Sequence, residues 1–246
     1  MKNLQQSLIQ VCALLLALPM LIVNSIAQAN DFPTAAPKDV GVSSERLQRL
    51  SSTMQRYIDN NMLAGTVSLV SRNGKVIHVE SQGWKNKESN EPMTDDSIFV
   101  IMSMTKPIVS TALMMLYEEG NFLLTDPITD WIPELKGKQV VIEEDGTNYR
   151  MSAHRPITFR HVLSHTAGVD PSREVLTEEE LALLPRKATL EETLINRAPL
   201  PLSFHPGDDW QYGSSTDYVA LLVERISGQS LVDYLQEKIL DPLKMH

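Results

Sequence analysis

The chain has 246 residues, 42% of them hydrophobic and 22% charged, with a formal net charge of −9. That balance supports one large domain or two small ones built on a sizeable core, and the negative charge without a basic stripe argues against a nucleic-acid partner. The lone cysteine, Cys12, rules out a disulfide framework, and the histidines show no H-E-x-x-H or comparable spacing, so neither a metal nor a cofactor is expected.

Residues 1–29 read as a signal peptide. Lys2 supplies the positive start, Val11 to Val23 is almost wholly apolar, and Ala27-Gln28-Ala29 has the A-x-A spacing of a cleavage site. The rival is an uncleaved anchor, but the run is short for a bilayer span and Pro19 interrupts it. The expectation is an exported protein, periplasmic or secreted, with no stable membrane span after signal removal and a single domain over residues 30–246. Cys12 would leave with the signal, and thiol catalysis with it.

Asp31 to Asp39 is a Pro/Ala-rich lead-in. Ser43-Ser44-Glu45 opens a helix with Leu47, Leu50, Met54, Tyr57 and Ile58 on one face. The stretch "AGTVSLVSRNGKVIHVESQGW" predicts two strands joined at Asn73-Gly74, a pair suited to a turn that needs positive φ twice. Gly83 and Trp84, at the end of the second strand, read as packing residues. One hairpin does not make a stable sheet, so more strands must pair with it or the sheet is incomplete.

Helices dominate after that. Ser103-Met104-Thr105-Lys106 opens one whose buried face is expected at Ile108, Thr111, Ala112, Met115 and Leu116, with Gly120 as its C-cap. The apolar run from Ile98 to Met102 predicts a buried approach to it. Leu123 to Glu134 reads as a loop, with Asp126 and Asp130 as turn formers. Further helices are expected from Thr158 to Gly168, Glu178 to Leu184, Leu190 to Arg197, Tyr218 to Ile226 (ending near Gly228) and Leu231 to Leu240. The triplet Glu178-Glu179-Glu180 is a solvated helix start. The fold class is α+β.

Two groups carry chemistry. Ser103 and Lys106 are three residues apart, a spacing that shares one helix face. A serine hydroxyl needs a base, and a lysine serves if its surroundings lower its pKa. A helix amino end also favours negative charge on the serine oxygen, and Pro107 is tolerated in a first turn. S-x-x-K alone is weak, arising by chance about once per few hundred residues, and Ser103 as a plain N-cap is the alternative. The second group is Tyr212-Gly213-Ser214, between the His205-Pro206-Gly207 turn and an apolar helix. Core roles suit Tyr218 and are open to Trp210, whereas Tyr212, flanked by Gly and Ser, is better placed to move a proton.

The hairpin, "SMTK", "ITFRHVLSHTAGV", "FHPGDDWQYGSSTDYVALLVERISG" and "LDPLKM" together resemble the serine hydrolases of the β-lactamase/penicillin-binding-protein fold, above all class C β-lactamases and family VIII esterases. The resemblance implies an antiparallel sheet flanked by helices plus a helical domain, with the site between them. It implies that Ser103 is the acylated nucleophile, Lys106 its partner, and Tyr212 the base in acylation and the acid for the leaving group. Ser214, where the lactamases carry the Asn of Y-x-N, would contact substrate. The spacing from Trp210 to Asp217 resembles the esterase branch. His165 to Gly168 matches the family's "HTSG" helix end and reads as structural. No K-T-G or H-x-G motif follows Tyr212, so the last strands and half the oxyanion hole are expected to be missing. The implied activity is hydrolysis of small esters or amides. The alternatives are a β-lactamase, a D-alanyl-D-alanine carboxypeptidase, or an inactive or binding-only chain. Oligomeric state is not legible.

Overall fold

A computed structural model describes residues 32–245; the signal-peptide reading and Cys12 lie outside them. The chain divides into two compact units at the boundary between Val100 and Ile101.

In the first unit, helix α1 (Ser44–Asp59) starts where the Ser43 hydroxyl accepts the Arg46 N–H at 3.3 Å. Its inner face buries Ser51 and Ile58 against the sheet. Strands β1 (Gly65–Arg72) and β2 (Lys75–Asn86) pair antiparallel from Gly65↔Gly83 to Arg72↔Lys75. Asn73 (φ 53°) and Gly74 (φ 70°) form the expected two-residue turn. A short β3 (Glu91–Pro92) adds to the far side of β2, giving the order β1-β2-β3. The chain that follows the hairpin thus supplies its extra strand. Gly83 has φ +78°, and a Cβ there would lie 2.5 Å from the Ala64 carbonyl oxygen, so only glycine lets the strands cross so closely.

In the second unit, α2 (Thr105–Glu118) packs against α6 (Ser215–Ser227). The buried face of α2 is Val109, Ala112, Leu113 and Leu116, an i, i+3, i+4, i+7 stripe. Of the expected face, Ala112 and Leu116 are buried and Ile108 and Met115 pack against the core, but Thr111 is exposed, and its hydroxyl donates back to the Pro107 carbonyl at 2.8 Å. Leu113 draws the larger apolar surface inward instead. α6 buries Tyr218 and every residue from there to Val223, as a helix enclosed on most sides must. It ends at Gly228 (φ 71°) as expected.

Around this pair lie α3 (Phe159–Leu163), α4 (Glu178–Leu181), α5 (Leu190–Arg197) and α7 (Leu231–Leu235), the last running on into a single π turn over Gln236–Leu240. Thr158 caps α3 in a reciprocal box with His161. α3 is shorter than expected, because Ser164 leaves helical geometry and His165 turns to φ 58°. Phe159 stacks on Phe122 at 3.8 Å between ring centres and meets the edge of Trp131 at 5.0 Å. A second hairpin, β4 (Gln139–Glu144) and β5 (Thr147–Ser152), was not expected from the sequence. Its signal is Asp145-Gly146 (φ 49° and 74°) after the run Val140-Val141-Ile142.

One expectation fails outright. The run before Ser103 is not buried: Ile98 is 97%, Val100 85% and Met102 76% exposed. It straddles the boundary between the units and enters no sheet or α-helix. Among the described residues no helix is long and apolar enough to cross a membrane.

The place of Leu113 inside and Thr111 outside on α2 is testable by truncation. Leu113→Ala should cost about 2–5 kcal/mol of stability in urea unfolding, whereas Thr111→Ala should stay within about 0.5 kcal/mol; equal losses would mean the face is wrongly assigned.

Candidate active site

Ser103, Lys106, Tyr212 and Ser214 all belong to the second unit. The backbone approaches Ser103 through Met102, whose φ of 48° is unusual for a side-chain-bearing residue and places strain beside the hydroxyl. Ser103 sits in a 3-10 turn (Met102–Met104) that runs directly into α2. It is not the N-cap of α2: that position is Met104, and no side chain caps it. The Ser103 hydroxyl is therefore free of capping duty.

Lys106, in the first turn of α2, lies with Nζ 3.5 Å from Ser103 Oγ, as the three-residue spacing predicts. Tyr212 reaches the same oxygen from the loop before α6, its hydroxyl donating to Ser103 Oγ at 2.6 Å. Lys106 Nζ stands 4.9 Å from the centre of the Tyr212 ring. The phenol pKa is lowered, first by the hydrogen bond with Ser103, then by the hydrogen bond with and the charge of Lys106. A phenol made more acidic beside a serine hydroxyl can exchange a proton with it. The geometry thus joins three residues separated by up to 109 positions in sequence.

Ser214 turns elsewhere. Its hydroxyl donates to Asp170 Oδ1 at 2.6 Å and its N–H to Asp170 Oδ2 at 2.8 Å. Trp210 is 60% exposed and leans on His165 edge-on at 6.3 Å, so a core role does not apply, while Tyr218 is buried as expected.

Two residues of the site were not singled out by the sequence. His165, read as packing, lies with its ring 4.8 Å from that of Tyr212 and accepts the Gly213 N–H on Nδ1 at 3.4 Å. Accepting on Nδ1 requires the neutral imidazole with its proton on Nε2. Partial burial, reinforced by the Lys106 charge, lowers its pKa. Asp170 is the other. Neither carries a local signal, since both act on residues more than forty positions away. Among the described residues no group of three or more His, Cys, Asp or Glu is arranged to hold a metal.

The family model described as Beta-lactamase matches residues 50–246. Esterase EstB of Burkholderia gladioli is 30% identical over 220 residues, which is 87% of this chain and 53% of that protein. Penicillin-binding protein 4* of Bacillus subtilis is 25% identical, over 83% of this chain and 42% of its own length. Among solved structures, EstCE1, a hydrolase with promiscuous acyltransferase activity, superposes with a TM-score of 0.67 at 27% identity, covering 81% of this chain and 52% of its own. The chain spans about half the length of the curated relatives it matches.

The site makes a prediction about acid. His165 and His161 both have lowered pKa values, burial being the main cause in each. Each therefore binds its proton less well folded than unfolded. Their contribution to stability is complete above the unfolded value of about 6.5, and is lost as pH falls below it through the lowered folded values. Melting temperature should fall from pH 7 to pH 5, and fall less in His165→Gln; an equal fall in both proteins would remove His165 from the balance.

Proposed function

The chain belongs to the β-lactamase family, and from that premise we propose that it is a serine hydrolase that forms an acyl-enzyme on Ser103 and acts on small esters or amides. The observation that carries this reading is the pair of short approaches to one oxygen, Tyr212 at 2.6 Å and Lys106 at 3.5 Å.

In the proposed cycle Tyr212, as phenolate, takes the Ser103 proton while Oγ attacks the acyl carbonyl. The Lys106 ammonium stabilises the phenolate, and the amino end of α2 stabilises the negative charge gathering on the attacked oxygen. Collapse of the tetrahedral adduct breaks the bond to the leaving group, which receives its proton from the Tyr212 hydroxyl. Water then repeats the sequence on the acyl-Ser103 ester, with Tyr212 as base, and releases the acid. The resting bond from the Tyr212 hydroxyl to Ser103 Oγ is the protonated form of this pair.

The ester preference rests on three supports: Ser214 in place of the Asn of Y-x-N, the Trp210-to-Asp217 spacing, and the esterase named among the relatives. The penicillin-binding protein among the relatives supports the second reading, a β-lactamase or D-alanyl-D-alanine carboxypeptidase using the same three residues. Residues 1–29 support export to the periplasm or the medium.

A fluorophosphonate probe should label Ser103, with no label on Ser103→Ala. Tyr212→Phe should lower p-nitrophenyl acetate hydrolysis by about 10²–10⁴-fold. Faster turnover of a chromogenic cephalosporin than of the ester would move the assignment to the second reading, and a folded chain that takes no label would move it to an inactive or binding-only chain.

A further inference from the structure

The aim of Tyr212 at Ser103 is set by the backbone on either side of it, and both sides are tied to the segment that follows α3. On the upstream side the Gln211 N–H donates to the His165 carbonyl at 2.9 Å. Ser203 Oγ lies 3.0 Å from Gln211 Oε1 and 2.9 Å from the Asp170 carbonyl oxygen. On the downstream side the two oxygens of one carboxylate, Asp170, receive the two donors of one residue, Ser214. A planar two-point grip of this kind fixes orientation as well as position. Ser214 is also the last residue before α6, whose next residues are buried, so the clamp is anchored to the core.

Gly213 makes the grip possible. A Cβ at this position would fall inside the van der Waals envelope of Asp170 Oδ2 and Cγ. Its φ is not positive, so the need is for room and not for a special conformation. The loop therefore brings a carboxylate and a missing side chain into register one residue beyond the tyrosine.

We propose that Asp170 is a positioning residue for the Tyr212–Ser103 pair, holding the phenol at bonding distance from Ser103 Oγ by clamping Ser214 through the gap left at Gly213. This rests on the reading of Ser103 and Tyr212 as an acyl-transfer pair. It gives Ser214 a task within the protein, distinct from contact with substrate.

The test uses Asp170→Ala, Asp170→Asn, Gly213→Ala and the Asp170→Ala/Gly213→Ala double variant in the full chain. With p-nitrophenyl acetate, Asp170→Ala should lose kcat by about 10²-fold, the effect of a displacement on the ångström scale, with KM little changed. Asp170→Asn keeps an acceptor and should recover most of the rate. Gly213→Ala should fall as far as Asp170→Ala, while the double variant should be no worse than either, because the clash needs the carboxylate.

A second readout is independent of turnover. In protein labelled with 13C at tyrosine Cζ, the Tyr212 signal, assigned by its loss in Tyr212→Phe, should titrate below the ordinary phenol range; Ser103, Lys106 and His165 are the groups that face it. In Asp170→Ala this titration should move back up. A wild-type kcat and an unmoved titration in Asp170→Ala would overturn the proposal. So would additive losses in the double variant, or a rate per folded molecule, counted by circular dichroism, that does not change. If the wild-type protein turns over no ester, the acyl-transfer reading fails and the titration alone judges the clamp.

Discussion

The contact between α2 and α6 is the interaction on which the site depends. Each helix presents one half of the cluster at its amino end: α2 carries Ser103 just ahead of it and Lys106 in its first turn, and α6 is preceded by Tyr212 and Ser214. Their bodies share one core through Val109, Leu113 and Leu116 on one side and Val219, Leu222 and Val223 on the other. Close packing gives such a core little freedom to slide, so two hydroxyls from distant parts of the chain stay at 2.6 Å. The aromatic group of Phe122, Trp131 and Phe159 extends the same core beneath α3, and α3 is the element from which His165 and Asp170 follow.

Around the Ser103–Tyr212 pair the electrostatics run in one direction. The Lys106 charge, 3.5 Å from Ser103 Oγ and 4.9 Å from the Tyr212 ring centre, favours the charged phenolate while disfavouring a charged His165. The same charge thus favours a neutral imidazole, able to accept the loop's Gly213 N–H, and a more acidic phenol. A cationic His165 would repel Lys106 and lose the Nδ1 lone pair that holds the loop. The positive φ at Met102 adds local strain on the serine side, where a rigid turn must present a hydroxyl outward instead of folding it into a cap.

Much of this was legible in the sequence, for reasons that differ from element to element. Asn73-Gly74 announced the first hairpin because a tight turn with positive φ at both positions admits few residue pairs. Ser103 and Lys106 were paired by spacing alone, since three residues along a helix return to one face. The α2 face was misread by placing Thr111 inside: a threonine on a mixed stripe does not declare its side, and packing against α6 chose Leu113. Asp145-Gly146 held the same kind of signal as the first hairpin, yet its flanking strands are too polar at one end to stand out. The run from Ile98 to Met102 misled because hydrophobicity alone does not place a segment that lies outside every sheet and α-helix.

The amino-acid sequence by itself determined the two chemical fragments, S-x-x-K and the tyrosine loop, together with the helices and turns that hold them, because these are short-range properties of neighbouring residues. Only the tertiary structure decided that the fragments meet on one oxygen, that the histidine of "HTAG" faces the tyrosine, and that Ser214 turns to Asp170. Those facts are distances between residues more than forty positions apart, and they exist only once the core of α2 and α6 has closed.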